Sequence, residues 1–140
     1  MTIQEEIKNN ATKRKSIRAA IKLIDEKTES LARELLAQLR QINGWEAMIS
    51  EECLWHYEKC PYEFFPWCEV YSTDKEVWFE KGYSNGDEYT ALTISLDVPL
   101  EEQVRMAIAA KEDKEREEAE QEREKELAEL ERLKKKYESK

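Results

Sequence analysis

Residues 76–96 read EVWFEKGYSNGDEYTALTISL, and this stretch decides the fold. Asn85-Gly86 between two strand-like runs is the strongest short hairpin signal a sequence can carry. Pairing Ser84 with Asp87 sets Phe79 opposite Leu92 and Val77 opposite Ile94, with Leu96 on the same face. A turn at Thr73-Asp74 extends the pattern, with Val70 opposite Val77 and Cys68 opposite Phe79. The reading predicts a three-stranded antiparallel β-meander with one apolar face. Its other face collects Trp67, Tyr71, Trp78 and Tyr89, with Glu69, Glu76 and Glu80 between them.

Upstream, positions 3, 7, 10, 14, 17, 21, 24, 28, 31, 35, 38 and 42 alternate four and three apart, and eight of the twelve are apolar. That is a heptad seam, so residues 1–44 are expected to form a long coiled-coil-type helix. Asn43-Gly44 is its expected stop. Asn10 and Arg14 interrupt the seam and could fix its register. No second seam of matching length exists in the chain, so the expected partner is another copy, through residues 3–42. A short helix is predicted over 45–59, with Trp45, Met48, Ile49, Cys53 and Tyr57 on one face. Residues 60–66 read as an ordered connection packed on the core.

Downstream, Pro99 ends the last strand and a helix is expected from about 99 to 137, capped by Asp97 or Val98. Leu100, Val104, Ala107 and Ile108 give it a short apolar stripe. From Lys111 to Glu126 only Ala119 is apolar, so this helix is expected to be exposed and partly frayed. The fold class is therefore α+β: a long N-terminal helix, a short helix, the β-meander and a long charged C-terminal helix. Three parts follow: 1–44, an acidic head 45–98, and 99–140.

Charge divides along the same lines. Residues 1–44 hold nine Lys/Arg and six Asp/Glu, residues 45–98 hold three and twelve, and residues 99–140 hold eleven and fourteen. A concentrated negative head disfavours direct binding to nucleic acid or an anionic membrane and favours a basic protein partner. No stretch is apolar enough to span a bilayer, and residues 1–20 carry charges where a signal peptide would be apolar. Three cysteines, an odd number, point to a reducing compartment, and a cytoplasmic location is expected.

Catalytic motifs are absent from this reading. The only His and all three Cys, namely Cys53, His56, Cys60 and Cys68, fall within sixteen residues, but no CxxC is present and the spacing matches no common zinc module. The plain reading of these cysteines is as small core hydrophobes. Gly44, Gly82 and Gly86 all read as turn residues, which leaves no phosphate-cradling loop. Neither cofactor nor metal is therefore expected. The aromatic face is either covered by a helix or a second subunit, or it is a contact surface made of Trp67, Tyr71, Trp78, Tyr89, Glu69 and Glu80. The expectation is a self-associating, non-enzymatic interaction protein that blocks or sequesters a partner. In size, charge and style, though in no motif, the chain resembles the counter-defence proteins of bacteriophages. Two alternatives are an acidic nucleic-acid mimic acting on a DNA- or RNA-binding protein, and an oligomeric sponge for a small ligand.

Overall fold

The structure is a computed structural model and describes residues 1–138. The protein is mixed α+β. Helix α1 (Ile3–Leu39) leads to a 3-10 turn (Trp45–Met48) and α2 (Glu51–Lys59). A second 3-10 turn (Phe65–Trp67) precedes strands β1 (Glu69–Ser72), β2 (Glu76–Gly82) and β3 (Glu88–Ser95), and α3 (Leu100–Glu138) follows.

Thr2 starts α1 with a capping box. Its hydroxyl accepts from the Glu5 N–H at 3.2 Å, and its own N–H donates to the Glu5 carboxylate at 3.3 Å. The helix ends at Leu39, five residues before the expected Gly44. Tight turns replace the last helical turn, with the Gln41 N–H bonded to the Gln38 carbonyl and the Ile42 N–H to the Leu39 carbonyl. Gly44 is still required, but for the turn into the head: its φ is +86°, and a Cβ there would stand 2.7 Å from Ile108 Cδ1 of α3.

The single short helix expected over 45–59 is broken. Ile49 and Ser50 are extended, and the Ser50 N–H donates to the Ala91 carbonyl at 2.9 Å. That bond diverts the backbone from helix to sheet, and α2 starts only after it.

The sheet order is β1-β2-β3, both pairs antiparallel. Val77 faces Ile94 and Phe79 faces Leu92, as expected. Other parts of the expected register need correction. In the first hairpin Val70 faces Phe79 and Ser72 faces Val77, a shift of two residues. The connection is a three-residue loop held by Thr73, whose hydroxyl accepts from the N–H groups of Lys75 and Glu76. A two-residue shift preserves which face each side chain takes. Cys68 consequently lies before the strand, yet it is buried. In the second hairpin a bulge follows Phe79: Glu80 faces Thr90 and Lys81 faces Tyr89. Ser84 and Asp87 do not pair. A wider loop closes the hairpin through Tyr83 N–H to the Asp87 carbonyl at 2.8 Å, with Gly86 at φ +90°. Leu96 lies beyond β3 and is 46% exposed, so it is not a core residue.

Phe65, Phe79, Leu39, Leu92, Ile94 and Cys53 are fully buried. Around Phe65 the rings of Trp45, Tyr57, Phe64 and Phe79 pack at centroid separations of 5.0–6.0 Å. Helix α1 joins this core through buried Ala32, Leu36 and Leu39 with Leu35 packed against it, and α3 through buried Val104 with Leu100 and Ile108 beside it. Arg33 fastens α1 to the chain ahead of β1, donating to the Phe65 carbonyl at 3.2 Å and to the Cys68 carbonyl at 3.1 Å. Gln103 does the same for α3 and β3: its side chain accepts from the Ser95 N–H at 2.8 Å and donates to the carbonyls of Ser95 (3.0 Å) and Val98 (2.7 Å). The expected cap is also corrected. The first-turn bond of α3 runs from the Gln103 N–H to the Pro99 carbonyl, so Pro99 and not Asp97 or Val98 caps the helix.

The rest of both helices stands clear of the core. The accessible surface is 11358 Å², against about 7,600 Å² for a compact monomer of this mass. Much of the difference lies along Ile3 to Leu31 of α1 and beyond Ala110 of α3, where all described residues but two are exposed.

Candidate functional site

The sheet has two contrasting faces. Val77, Phe79, Leu92 and Ile94 are at most 4% exposed on one, while Tyr71, Trp78, Glu80, Thr90 and Thr93 are exposed or half-buried on the other. Register brings Tyr71 and Trp78 opposite one another, and their rings stack at 5.8 Å with a 19° interplanar angle. Alternation then places Glu69 two residues before Tyr71 and Glu80 two after Trp78, both on this face. The Tyr71 hydroxyl donates to Glu69 Oε2 at 2.6 Å, and Trp78 Nε1 donates to Glu80 Oε1 at 3.0 Å. The Glu69 carboxylate holds the Tyr71 phenol proton and pushes its pKa up to about 12. Both polar ring atoms are thus satisfied, and their apolar surfaces are left open between two carboxylates.

Four of the six residues expected to form the site, Tyr71, Trp78, Glu69 and Glu80, come together. Trp67 does not join them: it lies in the 3-10 turn, 74% exposed, with no ring contact to the pair. Tyr89 is moved off the face by the bulge. It sits opposite Lys81, on the Phe79 side, with its ring 5.6 Å from Tyr83.

Cys53, His56, Cys60 and Cys68 do not converge either. Cys53 and Cys68 are buried and Cys60 is exposed. His56 packs between Trp55 at 4.8 Å and Tyr83 at 4.7 Å. Among the described residues no group of three or more His, Cys, Asp and Glu side chains is placed to hold a metal ion. Burial pushes the Cys68 thiol up to about 11. Burial, followed by a hydrogen bond to Cys53 Sγ at 3.6 Å, raises the Tyr83 phenol.

Two clefts could not be read from the sequence, because each depends on how a helix leans on the sheet. One, of about 620 Å³, lies between α1 and the β1 edge and is lined by Arg18, Ile21, Asp25, Thr28 and Tyr71, among others. Tyr71 therefore belongs both to the stacked pair and to this cleft. The other, of about 640 Å³, runs between β3 and the start of α3, with Met48, Leu54, Leu92 and Met106 in its wall. The Lys114–Glu51 ion pair bridges α3 to α2 beside it. A further exposed aromatic is Trp55, with the Lys59 ammonium 3.9 Å over its ring.

Fold and site together define a small α+β head with an acidic face carrying a stacked aromatic pair, and two projecting helices. In comparison with known proteins, the chain matches no family model, and neither a curated protein nor a solved structure is significantly similar to it.

Proposed function

We propose that the protein is a self-associating interaction module that uses the Tyr71–Trp78 face of its acidic head to bind a basic protein partner and so block or sequester it. The observation behind this reading is the open stack itself. A large aromatic surface with its donors already satisfied, ringed by Glu69 and Glu80, suits the cationic and aliphatic side chains of another protein. The excess of twelve acids over three bases in residues 45–98 would steer such a partner. Self-association is supported by α1, where Ile3, Ile7, Ile17, Ile21, Ile24 and Leu31 are all exposed along one seam. No helix among the described residues is long and apolar enough to cross a membrane. The reducing interior of a cell, where three free thiols persist, is the proposed location.

The test is affinity capture with three baits side by side: the intact chain, Trp78→Ala, and a chain ending at Lys111. A functional partner is retained by the intact and shortened chains and lost by Trp78→Ala, since truncating an aromatic anchor costs at least about 2 kcal/mol of binding. Retention by Trp78→Ala with loss by the shortened chain places the contact on α3 and overturns the reading. A partner released by moderate salt and competed by nucleic acid favours the nucleic-acid-mimic variant of the same face.

A further inference from the structure

We infer that two copies of α1 pair antiparallel, in one register centred between Lys22 and Leu23. The inference rests on the self-association proposed above and adds its orientation. The heptad frame places Ile7, Arg14, Ile21, Thr28 and Leu35 at the a positions and Ile3, Asn10, Ile17, Ile24, Leu31 and Gln38 at the d positions. The e positions carry Arg18 and Asp25, and the g positions carry Glu6, Lys13, Lys27 and Glu34. Lys13, Arg18, Asp25 and Glu34 are exposed, and among the described residues none forms an ion pair within the chain. Both Arg18 and Asp25 are exposed, on the side of α1 that looks across the cleft towards β1.

A parallel, in-register pair sets g against the following e of the partner. Lys13 then meets the partner's Arg18, twice by symmetry, and Arg14 meets its own copy in an a layer. No opposite charges meet to compensate, because the remaining g–e pairs each contain Ala or Leu. An antiparallel pair sets e against e and g against g. In the register proposed, Arg18 meets the partner's Asp25 and Lys13 meets the partner's Glu34, each twice. The central layers join Ile21 to the partner's Ile24, and Arg14 lies against the partner's Leu31, where its aliphatic stem is useful. Sliding one heptad either way brings Arg18 to Arg18 and Lys13 to Lys27, or Asp25 to Asp25 and Lys27 to Lys27. Charge therefore selects one orientation and one register.

The heads point to the same orientation. A parallel pair would hold two heads, each with twelve acids against three bases, at the same level. In the antiparallel register the two Leu36 junctions lie about 40 Å apart along the axis, at 1.5 Å per residue, well beyond the ~8 Å screening length of physiological salt. The surface available is sufficient as well. The chain exposes about 3,700 Å² more than a compact monomer would, shared between α1 and α3, against the about 800 Å² per partner of a standard interface.

The test is a charge exchange read by light scattering and sedimentation on the full chain. Arg18→Glu sets two carboxylates against each other at both symmetric sites and is expected to weaken association about tenfold, as befits two exposed ion pairs. Adding Asp25→Arg is expected to restore it. Residues 18 and 25 are seven apart on one helix, too far to pair within a chain, so rescue can arise only between copies. An intact chain that stays monomeric at about 50 μM, far above working levels for a stable assembly, overturns self-association and this inference with it. An intact chain that associates while the double variant does not overturns the antiparallel register alone. Disulfide trapping in a Cys60→Ser background gives an independent readout. Ile7→Cys chains mixed with Gln38→Cys chains are expected to cross-link to each other, and rapid cross-linking of Ile7→Cys chains alone would establish the parallel form.

Discussion

Phe79→Ala tests the sheet on which the proposed contact face is built. Phe79 is fully buried, faces Leu92 and Val70 across both strand pairs, and lies 5.8 Å from Phe65. Removing a ring from such a site costs about 3–5 kcal/mol, because the lost transfer energy adds to a cavity the core cannot fully close. The cooperative core spans little more than Ala32 to Ile108. At roughly 0.05–0.15 kcal/mol per residue, its total stability is about 4–11 kcal/mol. The substitution therefore consumes about a quarter or more of it. Thr93→Ala, on the open face, is expected within about 0.5 kcal/mol of the intact chain. Trp78→Ala should fall between the two, losing a stack worth about 0.5–1.5 kcal/mol and some half-buried area. Urea denaturation followed by near-ultraviolet circular dichroism reads the head, whereas the far-ultraviolet signal is dominated by α1 and α3. Equal losses for Phe79→Ala and Thr93→Ala would refute the assignment of the two faces.

Gly44→Ala forces a Cβ into the left-handed region against Ile108, and denaturation should show at least about 1–2 kcal/mol lost. Gln103→Ala leaves the Ser95 N–H and carbonyl unpaired at the β3 edge, so a loss of about 1–3 kcal/mol and faster turbidity on warming are expected. In native protein at pH 8 a thiol reagent should titrate Cys60 rapidly, and Cys53 and Cys68 only on unfolding. Because burial raises the Cys68 thiol from 9.0 to about 11, the folded chain holds a proton that the unfolded chain releases. Stability should therefore fall as pH rises from 9 towards 11, and Cys68→Val should flatten that decline.

The parts of the fold that were legible in the sequence follow from periodicity. Between β1 and β2, alternation assigned the two faces correctly although the pairing was shifted, since a slip of two residues leaves Val70 with Phe79 and Tyr71 with Trp78. The bulge was not legible. It adds one residue between Leu92 and Thr90, enough to carry Tyr89 to the opposite side, and Ala91 gives no local cue for it. The break in the predicted 45–59 helix arises from a single bond between Ser50 and Ala91, forty-one positions apart. The 73–75 loop lacks the glycine that would have fixed its length, and Thr73 supplies the missing bonds by side chain. Trp67 was misplaced because strand β1 starts two residues later than expected. Both clefts depend on helix–sheet packing, which a linear pattern does not encode.

The two projecting helices also govern how the molecule moves through water. A compact chain of this length has a radius of gyration near ~14 Å. The exposed run of α1 from Ile3 to Leu31 alone reaches about 43 Å. Viscous drag rises with that reach while mass does not, so even a single copy diffuses and tumbles like a considerably heavier sphere. It would emerge early from a sizing column and mimic an oligomer. Its slow rotation would also be anisotropic, faster about the long axis than across it. Rotational correlation times from labels at Ile3 and at Trp45 would differ with direction, and that difference would shrink if either helix melted.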